Sequence, residues 1–202
     1  MRQPRNWRSS YPQNWRNCGY FIPALTELRV ALTFDPISTF LRTLFAQTLV
    51  FTGEPDAAIA ELDRVFDLDP HYLVAKFVVA FAFEVKGLYQ EAINVLEPLR
   101  AELEDNPNYA GFLGYAYARL GNRVRAKGIL QDLKERFSGD WIPGCDIALI
   151  YTGLNDKKSA LHWLERAGRQ RSFDAMLLRV DPRFNVLHGD RDFEALMKQF
   201  GI

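Results

Sequence analysis

Residues 73–103, LVAKFVVAFAFEVKGLYQEAINVLEPLRAEL, decide the fold. They read as two helices joined by a tight turn. The first spans Leu73 to Lys86. Gly87 follows at the turn, where a residue that tolerates left-handed backbone angles is wanted. The second helix is predicted from Tyr89 to Leu103. Its apolar positions Ala92, Ile93, Leu96 and Leu99 keep i, i+3, i+4, i+7 spacing, which is one helical face. Ala80 and Ala92 are expected to face each other where the helices cross, because small side chains let backbones approach. Val79, Phe83 and Leu96 would fill the space beside that contact.

Outward from this stretch the pattern recurs every 34 residues without a gap. Ala24, Ala58, Ala92, Ala126 and Ala160 form one series. Leu28, Leu62, Leu96, Leu130 and Leu164 form a second, and Gly19, Gly53, Gly87, Gly121 and Asn155 a third. Ala46, Ala80, Gly114 and Ala148 make a fourth; Leu49, Phe83, Tyr117 and Tyr151 make a fifth. A fixed period of this length marks a repeat architecture, in which each unit buries its apolar face only against its neighbours. Pro36 and Pro70, one period apart, are placed to stop second helices.

The 34-residue period, a small residue three before an aromatic one in the first helix, Gly before the turn and Ala five residues later resemble the tetratricopeptide repeat (TPR). The resemblance covers residues 19 to 167. It implies an all-α fold: an α-solenoid, a right-handed superhelix of helix pairs closed by a C-terminal capping helix. The family's early Trp is replaced by Arg42, Lys76, Ala110 and Gly144. Its closing Pro is replaced by Ser138 and Ser172 in the third and fourth units. The run Asp146 to Tyr151, then Ala160 to Leu164, then Val180-Asp181-Pro182-Arg183-Phe184 resembles something narrower. It is similar to the C-terminal TPR array of bacterial serine/threonine kinases and winged-helix transcriptional regulators. The glycine-rich loop and catalytic-loop motifs of a kinase are missing from this sequence.

The organisation expected is an irregular or flexible segment over 1–18, an array over 19–172 and a cap over 173–202. The array divides into a half repeat 19–38 and repeats 39–72, 73–106, 107–140 and 141–172. Segment 1–18 contains Pro12 and lacks the small–aromatic pattern, so it is not read as a helix of the array. A shifted reading frame, a misplaced start or a genuine tail would each account for it. Asp181-Pro182 reads as a helix start, with Asp as N-cap and Pro in the first turn. Phe193, Leu196, Met197 and Phe200 share one face of a final helix after Asp190 and are expected to bury the edge of the fourth repeat.

Of the 202 residues, 48% are hydrophobic and 25% charged, and Lys+Arg and Asp+Glu both count 25. That balance gives no global field to draw nucleic acid or an acidic membrane. Arg2, Arg5, Arg8 and Arg16 interleave with Trp7, Tyr11 and Trp15, a weak echo of single-strand binding that the short segment does not sustain. No apolar run reaches the ~18 residues of a membrane helix. The two cysteines, Cys18 and Cys145, show no CxxC spacing, which suits a reducing, cytoplasmic compartment. Cys145 reads as a small core residue. His71, His162 and His188 fall in unrelated places without metal-ligand spacing, so no metal or other cofactor is expected.

The function expected is a scaffold for protein–protein interaction. Its first helices would present an apolar, aromatic concave groove to a partner segment. The residues placed on it are Phe51, Phe77, Phe81, Tyr115, Arg119 and Leu149, with Thr152 beside them. Aromatic and Arg side chains are the usual anchors of such contacts. A Phe77→Asp, Phe81→Asp pair is expected to weaken partner binding while leaving helicity intact. The alternative open to these rings is packing between repeats. Some family members grip a C-terminal carboxylate with Lys and Asn. The matching places here hold Thr43, Gln47, Phe77, Phe81, Gly111 and Tyr115, so that clamp is not implied. No catalytic set converges, and the chain is read as no enzyme. The alternative function is a detached sensor or docking module of a larger bacterial signalling protein. Self-association through the N-terminal edge is compatible with either.

Overall fold

The computed structural model describes residues 21–137, 142–170 and 177–201. Among these every regular element is a helix. The chain divides into two compact units, one ending at Leu88 and the other beginning at Tyr89. The division falls inside the 73–106 repeat. The expected irregular segment 1–18 lies outside the described residues.

The first unit holds α1 (Phe21–Phe34), α2 (Thr39–Phe51), α3 (Pro55–Leu68) and α4 (Leu73–Lys86). Each packs on the next, and α2 also meets α4. The half repeat therefore contributes one helix, α1, which buries no residue fully. Ser38 starts α2 by accepting the Leu41 amide at 3.3 Å. Pro55 opens α3, where its missing N–H costs nothing.

The second unit begins with α5 (Tyr89–Leu96) and a 3-10 turn (Glu97–Leu99). The predicted helix to Leu103 thus ends early. Pro98 has no N–H for the next rung and its ring crowds the Asn94 carbonyl, so the last turn tightens. Then come α6 (Pro107–Leu120), α7 (Arg123–Arg136), α8 (Gly144–Gly153) and α9 (Lys157–Arg169). A second 3-10 helix (Pro182–Leu187) and α10 (Arg191–Phe200) complete the unit. Asp181 caps that 3-10 helix by accepting the Arg183 amide at 2.9 Å. Phe193 and Met197 are fully buried, Leu196 nearly so, and α10 packs on α9.

The 34-residue series have one physical meaning each. Gly53, Gly87 and Gly121 take φ of 82°, 76° and 92°, and Asn155, the non-glycine member, takes 61°. Asn is among the few residues that enter this region at modest cost. The same long-range closing bond recurs at each turn: the amides of Glu54, Leu88, Asn122 and Asp156 donate to the carbonyls of Leu49, Phe83, Tyr117 and Tyr151 at 2.8–2.9 Å. This satisfies carbonyls that the helix end would otherwise leave open. Ala58, Ala92, Ala126 and Ala160 are wholly buried, as are Ala46, Ala80 and Ala148. The repeat is thus all-helical and of TPR type.

Where Trp would open the family's repeat, Arg42 does different work. Its guanidinium donates to the Pro36 carbonyl at 2.8 Å and pairs with Glu61 of α3. Glu61 also accepts from Arg64 at 3.0 Å. An ion pair and a loop tether stand there instead of an indole.

Candidate functional site

In the first unit the sequence-predicted aromatic residues come together as a packed stack. The Phe51 ring lies 5.3 Å from Phe21 and 5.2 Å from Phe81, centroid to centroid. Phe51 and Phe81 are buried, at 7% and 3% exposure, and Phe77 is half-buried. The stack joins α1, α2 and α4 as packed interior. An aspartate at Phe81 would place a charge in that interior, so the paired Phe77/Phe81 substitution tests packing along with binding. Large apolar side chains that do reach solvent in this unit are Ile22, Val30 and Phe34 on α1, Ile37 before α2, Phe40 (62% exposed) and Leu44 on α2, Leu68 on α3 and Val74 (53%) on α4. Phe40 and Val74 are one period apart on two helices that touch. The 34-residue register carried this signal, because it marks equivalent positions in successive repeats.

In the second unit Tyr115 and Arg119 belong to a ladder of alternating rings and cations. The Arg119 Nε donates to the Tyr89 hydroxyl at 3.1 Å, with the guanidinium 5.5 Å from that ring's centre. Tyr89 meets Tyr115 edge-on at 6.2 Å. The Arg183 guanidinium then lies 6.0 Å from Tyr115 and 4.1 Å from Phe112. Cation–ring contacts of this length contribute about 0.5–2 kcal/mol each, more when water is excluded. Arg183 also grips the Asp181 carboxylate, from Nε at 3.0 Å and 3.1 Å and from Nη2 at 2.6 Å. Both side chains are only 8% exposed. Arg183 thus crosses from the C-terminal segment onto α6. Phe112, Tyr89 and Arg183 were not among the expected site residues; Arg183 stood inside the Val180–Phe184 run but carried no chemistry by itself. Leu149 is buried on α8 at 3% exposure, and Thr152 beside it is buried too.

A second polar cluster sits between the end of α5, α6 and α7. A cavity of about 70 Å³ is lined by Glu97, Arg100, Tyr109, Tyr117 and Arg125, among others. The Tyr117 hydroxyl donates to Glu97. Burial, then the Glu97 hydrogen bond and its charge, push the Tyr117 phenol up. The Tyr109 hydroxyl is buried and finds no hydrogen-bond partner among the described residues. Burial, with Glu97 adding to it, pushes this phenol up to about 12.

Elsewhere the described chemistry is structural. Asn108 donates to the buried Asp146 at 3.3 Å, and Cys145 is buried beside it. His188 stacks on Phe193 at 5.4 Å and His162 meets Trp163 edge-on. Among the described residues no three of His, Cys, Asp and Glu gather as metal ligands. No helix there is long and apolar enough to cross a membrane.

No family model matches the chain. It is 22% identical over 173 residues, 83% of its length, to the TPR repeat-containing protein YpiA of Bacillus subtilis. It is 30% identical over 87 residues, 43% of its length, to the TPR repeat-containing protein MJ0941 of Methanocaldococcus jannaschii. The chain spans 40% of the first relative and 26% of the second. With the repeated turn bonds above, these two relatives support a TPR-type chain and, in general terms, a protein-interaction module.

Proposed function

We propose that this chain is a protein-binding module and not an enzyme, and that it holds a partner segment against the first helices of its repeats. One observation carries the reading: Phe40 and Val74 stand exposed at equivalent positions of α2 and α4, two helices in contact, with Leu44 also exposed on α2. Exposed apolar side chains gathered this way mark protein contacts. An amphipathic helix or an extended peptide lays apolar anchors on such a face. Of the six residues assigned from sequence, Phe77 in the first unit and Arg119 in the second reach solvent, while Phe51 and Phe81 in the first and Tyr115 and Leu149 in the second are buried. Protein is the partner class proposed; neither nucleic acid nor a membrane is invoked.

The test is a selection of displayed peptides on the full chain, followed by titration onto Phe40→Asp and Val74→Asp variants. A loss of tenfold or more in affinity, with unchanged far-ultraviolet circular dichroism, supports the reading. Equal binding to all three proteins refutes it.

A second reading is a docking module of a larger signalling protein. The partial coverage of both relatives favours it, since each carries substantial sequence beyond the matched part. An immunoblot of the native protein that shows only a species of this chain's own size would count against it.

A further inference from the structure

We propose that the polar cavity between the end of α5, α6 and α7 is a binding site for a small carboxylate, which accepts from the Tyr109 hydroxyl and pairs with Arg100 and Arg125. The site lies within the second unit and does not rest on the protein-binding reading above.

Tyr109 lines the cavity at 4% exposure. Its hydroxyl is buried and has no hydrogen-bond partner among the described residues. Such groups are rare in folded proteins, because an unmade bond forfeits the one once made to water. The charges that act on this phenol, Glu97 and Arg100, belong to the lining, as does Tyr117, so its oxygen faces the cavity. Burial pushes the phenol up to about 12, so at neutral pH it keeps its proton and lacks only an acceptor. Glu97 is engaged elsewhere, since it accepts from the Tyr117 hydroxyl.

The rest of the lining narrows the chemistry of that acceptor. Arg136 holds Glu104 at 3.0 Å and Asp132 at 2.8 Å, so two of the three lining carboxylates are already paired. Arg100 and Arg125 are exposed and make no ion pair among the described residues. Arg125 lies 6.0 Å from the centre of the Tyr117 ring, whose hydroxyl meets Glu97, so this cation stands at the same end of the cavity. Two unpaired cations beside one carboxylate favour an acceptor that carries a single negative charge. Ala110, Leu113 and Ile129 complete the lining with apolar surface. A short alkyl tail covers that surface, and an inorganic oxyanion does not. A carboxylate also takes two parallel bonds from a guanidinium. At about 70 Å³ the cavity has room for more than one water-sized group. Both arginines reach solvent, which gives such a ligand a way in.

The experiment titrates the full chain with sodium acetate at constant ionic strength and follows saturation transfer from protein to the acetate methyl by NMR. Acetamide, the neutral analogue, is the control. Wild type is expected to saturate with acetate and to bind acetamide about tenfold more weakly. Tyr109→Phe should weaken acetate about fivefold or more, and the paired Arg100→Gln, Arg125→Gln variant about tenfold or more. Both arginines are exposed, so that pair keeps the test if Tyr109→Phe does not fold. Absence of saturable transfer in wild type overturns the site, and the cavity then holds water alone. Equal affinity for acetamide, or acetate affinity unchanged in both variants, overturns it too. Inorganic phosphate that displaces acetate at concentrations below the acetate constant overturns the carboxylate class. No protein partner enters this experiment, so its failure leaves the first-unit reading to the Phe40 and Val74 variants.

Discussion

Gly114→Ala and Gly128→Ala are the same chemical change inside two neighbouring helices, and they should move stability in opposite directions. Both positions are interior, in α6 and α7 respectively. Replacing an interior helical Gly by Ala stabilises by about 0.5–1 kcal/mol, because the alanine loses less backbone freedom on folding. At Gly128 nothing lies within 4 Å of the new methyl, so that gain stands. At Gly114 the methyl would fall 2.5 Å from Ile150 Cδ1, 2.7 Å from its Cγ1 and 3.3 Å from Ile129 Cγ2. Ile150 is fully buried in a cluster with Ala118, Leu130 and Ile147, so moving aside brings it against packed neighbours. Overpacking of this kind costs about 1–3 kcal/mol. The net expectation is a loss of about 1–2 kcal/mol at Gly114. In a chain of this size a kilocalorie shifts the melting temperature by about 2–4 °C. Thermal unfolding followed by circular dichroism should show Gly128→Ala melting about 1–4 °C higher than wild type and Gly114→Ala about 2–8 °C lower. If Gly114→Ala melts as high as Gly128→Ala, the close approach of α6 to Ile150 is wrong.

Arg42→Ala should destabilise by about 1–3 kcal/mol, since the mostly buried Glu61 keeps, among the described residues, only the exposed Arg64 as partner, a loss readable as a lower urea midpoint at unchanged slope. Tyr109 ionises near 12 in the folded chain against about 10 in the unfolded one, so its contribution is complete below pH 10 and is lost as pH rises towards 12. Tyr109→Phe should flatten the stability profile in that window, and an unflattened alkaline limb would show that another group governs it. Phe81→Asp should lower helicity and melting temperature sharply, while Phe40→Asp leaves both within about 0.5 kcal/mol of wild type. Similar melting of the two variants would contradict the burial of the Phe51–Phe81 stack.

The repeat was legible because its causes are local. A residue with positive φ every 34 positions ends a helix whatever surrounds it, and the turn bonds to Leu49, Phe83, Tyr117 and Tyr151 follow from backbone geometry. Alternating helical faces likewise show in spacing alone. Two local details departed from this frame: Pro98 closed α5 early, and the Asp181-Pro182 start led into a 3-10 turn. The proposed partner surface was harder to place. Spacing puts Phe51, Phe81 and Tyr115 on first helices, but whether a ring points to solvent depends on what stands beside it. Phe21 covers Phe51, and Arg183 covers Tyr115 from 68 residues further along the chain.

The same contrast runs through the glycines. At Gly121 the sequence alone determined the role, because left-handed backbone is a property of the residue and its turn. At Gly114 the sequence marked a small-residue place of close helix packing, which Ala46, Ala80 and Ala148 fill in the other repeats, and left alanine there open. Only the tertiary structure decided against it, because the space beside one position in one repeat belongs to Ile150, and excluded volume between distant residues leaves no mark on periodicity. Arg183 makes the same point for packing. Its sequence neighbours explain the turn that carries it, and only the packed chain puts two aromatic faces under its guanidinium.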